Sequence, residues 1–176
     1  MIADMLTDFV EKKIAEPAEK QTHAYLGDQS LAKGLLAGVI GGILATAAKA
    51  LAERVYPPRT HGEADPTALA ADKLGARNLP QAQREIASEA VRWGFGAVTG
   101  AAYGALAEFY PAAAAKDGVN FGMTLMALTH EGALPALGFS AQPANQTTRE
   151  KSSEMTTYVI FGLVTETVRR YVRKML

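Results

Sequence analysis

The chain has 176 residues, 18 basic side chains against 18 acidic ones, no cysteine and 48% apolar residues. That length and apolar content suit a folded domain with a real core and exclude global disorder. The charge balance argues against a broad nucleic-acid footprint, and without Cys there is no disulfide framework, thiolate nucleophile or Cys-held metal.

Residues 1–30 form a region of their own. Ile2, Met5, Leu6, Phe9, Val10 and Ile14 recur at helical spacing opposite Asp8, Glu11, Lys12 and Glu19. This predicts an amphipathic helix that lies at a membrane interface or packs on a partner. Its early Asp4 and the lack of a long apolar core make it a poor cleaved signal. Residues 31–176 then read as a helical membrane domain. The first apolar helix covers 31–55 and stops at Tyr56-Pro57-Pro58-Arg59. A polar connection over about 57–88 holds one short helix, with Asp65 as N-cap, Pro66 at the first helical position and Gly75 as its stop. Pro80 opens a helix that runs through a second apolar segment, bracketed by Trp93 and Phe109-Tyr110, to Pro111. After a short loop at 111–117, a third apolar segment spans about 118–138, carrying Pro135 and ending at Gly138. A loop with Pro143 and Asn145 leads to a last helix over about 150–174. No strand-like alternation stands out, so the fold class is all-α, with about four apolar helices plus the N-terminal amphipathic one.

The charge-free runs Gly34–Ala48 and Trp93–Ala107 fall short of the roughly 20 residues a span needs. Lys33 and Lys49, however, lie close enough to helix ends to snorkel. Glycine adds to the membrane reading. Gly34, Gly38 and Gly42 recur every four residues, as do Gly96, Gly100 and Gly104. Each costs a soluble helix about 1 kcal/mol relative to Ala, whereas in lipid such stripes let two backbones approach closely. Close packing inside a soluble helical binding module is the competing explanation.

Several short pieces occur in one order: Lys49, Glu53 and Pro57-Pro58-Arg59; Tyr103-Gly104 with Ala107-Glu108-Phe109-Tyr110-Pro111; Gly118, Gly122, His130, Pro135 and Gly138; then Glu154 and Glu166-x-x-Arg169-Arg170. Together they resemble the YagU-like bacterial inner-membrane proteins over roughly residues 31–173. The resemblance implies a small multi-pass protein of the bacterial cytoplasmic membrane, from a family whose molecular function is not established. The N-terminal extension departs from that pattern.

Charged residues inside apolar segments are costly and normally pair in the bundle interior. Lys49 and Glu53 are spaced as an i,i+4 ion pair, and Glu108, His130, Glu131 and Glu166 lie in or near three other apolar segments. These six form a candidate intramembrane polar cluster. It either holds the bundle together or binds a proton, cation or small solute between helices. Antiparallel connections place Glu108 and Glu166 towards one face, near Lys49/Glu53 or a basic helix end, with His130 apart. His23, His61 and His130 lack ligand spacing, so no metal site or other cofactor is expected. No nucleophile elbow, phosphate loop or dinucleotide fingerprint appears, so no enzymatic activity is expected.

The leading expectation is therefore a structural or accessory membrane subunit, associating through its glycine stripes with other membrane proteins or itself and contacting lipid, not nucleic acid. The alternatives are a small transporter or ion-conducting protein using the Glu/His residues, and the soluble module. The basic run Arg169, Arg170, Arg173, Lys174 reads as a cytoplasmic flank and places the termini inside.

Overall fold

A computed structural model describes residues 29–59, 65–133, 136 and 147–176, with the side chains of 115, 130, 131 and 133 outside that set. Contacts divide the chain into Met1–Ser30 and Leu31–Leu176. The amphipathic helix expected before residue 30 lies outside the described residues, as does the loop around Pro143 and Asn145.

Among the described residues, 31–176 build five α-helices joined by tighter or wider helical turns, and no strand is present. Helix α1 spans Leu31–Val55. Helix α2, Pro66–Lys73, starts at Asp65, whose carboxylate accepts the Thr67 amide, and ends before Gly75 at φ 110°. Such an angle favours glycine, which has no Cβ to clash. Helix α3 covers Gln81–Phe109, α4 covers Val119–Met126, and α5 covers Thr148–Met175. The start of α5 is a capping box. The Thr147 hydroxyl accepts the Glu150 amide, and the Glu150 carboxylate accepts the Thr147 amide.

Helix directions follow from which residues meet. Gly34 abuts Gly104 and Glu108, Gly38 abuts Gly100, and Gly42 abuts Gly96, so α1 and α3 are antiparallel. A methyl group added at Gly38 would stand 2.1 Å from the Gly100 carbonyl oxygen, and one at Gly42 would stand 2.0 Å from that of Gly96. Only glycine permits this approach. Tyr56 of the α1 end meets Ser152 and Ser153 at the start of α5, so those helices are antiparallel too. Gly122 abuts the Tyr158 carbonyl and Gly118 that of Gly162, which sets α4 against α5 in the same sense. Four helices thus alternate in direction, with α2 laid across α3 by Asp72–Arg84 and Asp65–Arg92 ion pairs.

Three expectations need correction. Among the described residues only α1 is long and apolar enough to cross a membrane, not about four helices. The early turns of α3 carry Arg84, Glu85, Glu89 and Arg92, and the inward face of α5 carries Glu150, Ser153, Glu154, Glu166 and Arg169, which lowers their average hydropathy. Second, the third segment is not one α-helix. It widens after Met126 into a π-helix over Ala127–Ala133. Here the Thr129 hydroxyl donates to the Leu125 carbonyl at 2.7 Å, the kind of back-bond that competes with regular helix. Third, 111–117 is not an open loop. Pro111–Gly118 winds as a 3-10 helix and closes with Lys116, Asp117 and Gly118 at φ 56°, 54° and 85°.

The interior is small and polar, and the outside is greasy. Ala37, Ala45, Thr157, Thr165 and Glu166 are fully buried, as are the glycine contacts, while Leu36, Leu44, Val98 and Leu106 are about half exposed or more. Aromatic rings supply the largest apolar packing. Tyr103 stacks on Phe121 with centroids 4.1 Å apart, and Phe121 meets Phe161 at 6.0 Å.

Candidate functional site

The candidate polar cluster does not assemble as one site. Since Gly42 faces Gly96 and Gly34 faces Glu108, Lys49, seven residues past Gly42, lies level with Glu89 in the polar early turns of α3. Glu108 sits some 19 residues further along, about 28 Å at 1.5 Å per residue. Charges therefore gather at two opposite ends of the bundle.

At the end that holds the C-terminus of α5, carboxylates are fully tied. Glu166 accepts the Tyr103 hydroxyl at 2.8 Å and both forks of Arg169 at 2.7 and 2.8 Å, and Arg170 adds a further bond. Glu108, 6% exposed, accepts Arg173 at 2.7–3.0 Å through two guanidinium nitrogens. Arg170 also reaches Asp117 beside the left-handed turn. Two-pronged Arg–carboxylate geometry is the strong form of this contact. The arginines expected as an outer flank thus point inward in part, because Arg169 is only 7% exposed. Glu108 and Glu166 do share one end, at the basic helix terminus and away from Lys49 and Glu53.

At the other end the same residue types surround a space. The second half of α1 contributes Thr46, Lys49, Ala50 and Glu53, and the connection after it contributes Arg59 and Asp65. Helix α2 adds Thr67 and Ala70, α3 adds Val91, Arg92 and Phe95, and Leu125, Thr129, Tyr158 and Phe161 close the floor. The cavity measures about 270 Å³. Lys49 pairs with Glu53 and lies 4.6 Å from the centre of the Tyr158 ring, an added cation–π contact. The Tyr158 and Thr129 hydroxyls stand 3.3 Å apart. Asp65 accepts the Thr67 amide and hydroxyl, Arg92 at 2.6 Å, and Arg59 at 3.5 Å. Burial pushes the Asp65 carboxyl upward, but the Thr67 bonds and the two guanidinium charges outweigh it and hold the group below its ordinary value.

The side chains of His130 and Glu131 lie outside the described residues; their backbone belongs to the π-helix beside this cavity. Among the described residues no three His, Asp or Glu side chains stand together to hold a metal. Arg92, Thr129 and Tyr158 carry no site signal in the sequence, Arg59 enters there only with the Pro57-Pro58 stop and the resemblance, and Asp65 only as a cap. Nothing in their spacing joins them, since they come from four different parts of the chain. The partners Tyr103 and Arg173 were equally hidden.

A family model described as "Protein of unknown function (DUF1440)" matches residues 43–167. No curated protein matches, and no solved structure matches.

Proposed function

The chain belongs to the DUF1440 family of proteins of unknown function, and we propose that it is a multi-pass protein of the bacterial cytoplasmic membrane with a structural or accessory role. One observation carries the reading: the bundle is inverted. Glu150, Glu154, Glu166 and Arg169 are at most 7% exposed, while Leu36, Leu44, Val98, Leu106 and Leu163 are 36–69% exposed. In water that arrangement costs on both counts, because charges lose hydration and apolar area stays wet. In a bilayer both features are at home, since ionisable groups face the bundle interior and pair there. The likeness to the YagU-like inner-membrane proteins supports the same compartment. On this reading α1, the apolar part of α3, the α4–π segment and α5 lie in lipid, with both ends of residues 31–176 on one side.

The glycine stripes bear on how the protein would associate. They pack against each other within the chain, so partners, or a second copy, would meet the outward Leu, Val and Phe faces. Glu108 and Glu166 are each held by arginine, which favours a cross-bracing role over an ion path through them. Fractionation tests the proposal. The full chain should stay with membranes through an alkaline carbonate wash and need detergent for release. Recovery in the soluble phase without detergent overturns it. Because the chain has no cysteine, single cysteines placed at Leu79 and Lys174 should label from opposite sides of sealed vesicles.

A further inference from the structure

The cavity at the Lys49 end is assigned to nothing by the reading above and does not depend on it. Its charged lip and apolar floor differ in accessibility. The side chains of Lys49, Glu53, Arg59, Asp65 and Arg92 keep 18–30% exposure, whereas Leu125, Tyr158 and Phe161 are 3–8% exposed. Charge compensation at the lip is uneven. Lys49 has Glu53 in contact and buried Glu154 in its field. Arg92 has Asp65 at 2.6 Å and Glu89 at 3.4 Å. Among the described residues Arg59 meets only the same Asp65 oxygen that Arg92 already holds, at 3.5 Å. Most of its five N–H donors are therefore unused among the described residues, and a planar guanidinium fork of this kind matches an oxyanion.

We propose that this cavity binds a small amphiphilic monoanion, with Arg59 taking the anionic head and Phe95, Leu125 and Phe161 walling the apolar body. Size follows from volume. A dry cavity of about 150 Å³ accepts benzene, so this one has room for about ten heavy atoms. The floor sets the shape of the ligand, because an ion without an apolar tail would leave that surface unfilled. Two sources supply such chemistry, a free medium-chain acid or the anionic phospholipid of a bilayer.

Octanoate is the probe, titrated calorimetrically into the full chain in a neutral detergent against protein-free micelles. Saturable binding of one octanoate per chain is expected, at least tenfold tighter than octanol. Arg59→Gln should weaken octanoate at least tenfold while leaving octanol binding and the Tm unchanged. Ala70→Leu, which fills the space without touching charge, should abolish both. Absence of saturation, equal affinity for octanol, or unaltered binding by Arg59→Gln each overturns the proposal. Phosphatidylcholine nanodiscs with and without phosphatidylglycerol then separate the sources. Displacement of octanoate by the glycerol lipid assigns the bilayer, and indifference assigns a free acid. Because octanoate binding and membrane retention are read separately, one can fail while the other stands.

Discussion

The two ends of the bundle use the same alphabet, Arg and Lys against Asp and Glu with a tyrosine at each, and arrive at opposite results. At the α5 C-terminus, Glu166 receives four donated bonds and is fully buried, so charge serves as cross-bracing between α3 and α5. At the Lys49 end the ion pairs stay partly accessible and border an open volume. The difference lies in chain geometry. Helices α3 and α5 run parallel there, so Tyr103 faces Glu166 and Glu108 faces Arg173 at matched heights. At the opposite end α2 packs on α3 through the Asp72–Arg84 and Asp65–Arg92 pairs and lines the cavity together with the second half of α1.

The sharpest way to break this contrast is to remove one partner at each end. Glu166→Gln leaves Arg169 buried with its charge uncompensated and should cost about 3–5 kcal/mol. Glu53→Gln acts on a pair with 18–19% side-chain exposure and should cost about 1 kcal/mol or less. Denaturant unfolding in detergent measures both, and equal losses would erase the distinction between the ends. Next in size is the glycine seam that joins them. Gly38→Leu and Gly100→Leu each force a side chain into a carbonyl 2.1–2.4 Å from the new Cβ and should cost about 1–3 kcal/mol. The two positions touch, so the double variant should lose less than the sum. Unchanged thermal stability in both single variants would remove the packing argument.

A smaller effect concerns acid. The Asp65 carboxyl is held below its unfolded value, so its stabilising contribution is complete above the unfolded pKa and is lost as pH falls through the folded one. Asp65→Asn keeps a capping side chain but should flatten that part of the stability profile below pH ~4. Asp65→Ala also loses the cap, for about 1 kcal/mol at neutral pH. Smallest is Gly94→Ala. Nothing lies within 4 Å of the added methyl, so it should gain up to about 1 kcal/mol from helix propensity. A loss there would show that α3 is packed where it is described as open.

Much of the helix plan was readable because its signals are local. Asp65-Pro66, Pro57-Pro58 and Pro111 act on their own neighbours, and the glycines could be picked out by a four-residue spacing. The Thr147-x-x-Glu150 capping box was equally available and would have moved the start of α5. What sequence could not supply was sidedness between helices. Average hydropathy counts Glu154 and Glu166 against α5, although both turn inward and leave Met155 and Leu163 outside. The cavity was out of reach for the same reason, since its lip and floor join residues from Lys49 to Tyr158 through three-dimensional placement alone. The widening at Ala127 is not encoded in the pattern of apolar residues.

The position of α5 along the chain gives the cross-bracing a consequence in time. A ribosome delivers α1 and α3 first, and their glycine surfaces can close together at once, since each needs only the other. Glu108 and Tyr103 then wait, because the arginine and glutamate that complete them, Arg173 and Glu166, lie in α5. Until α5 is made, Glu108 lacks the Arg173 fork that holds it in the finished bundle. Helix α5 therefore acts as a latch that closes after the α1–α3 seam, and a chain cut before Arg173 should keep the seam while Glu108 loses its arginine fork.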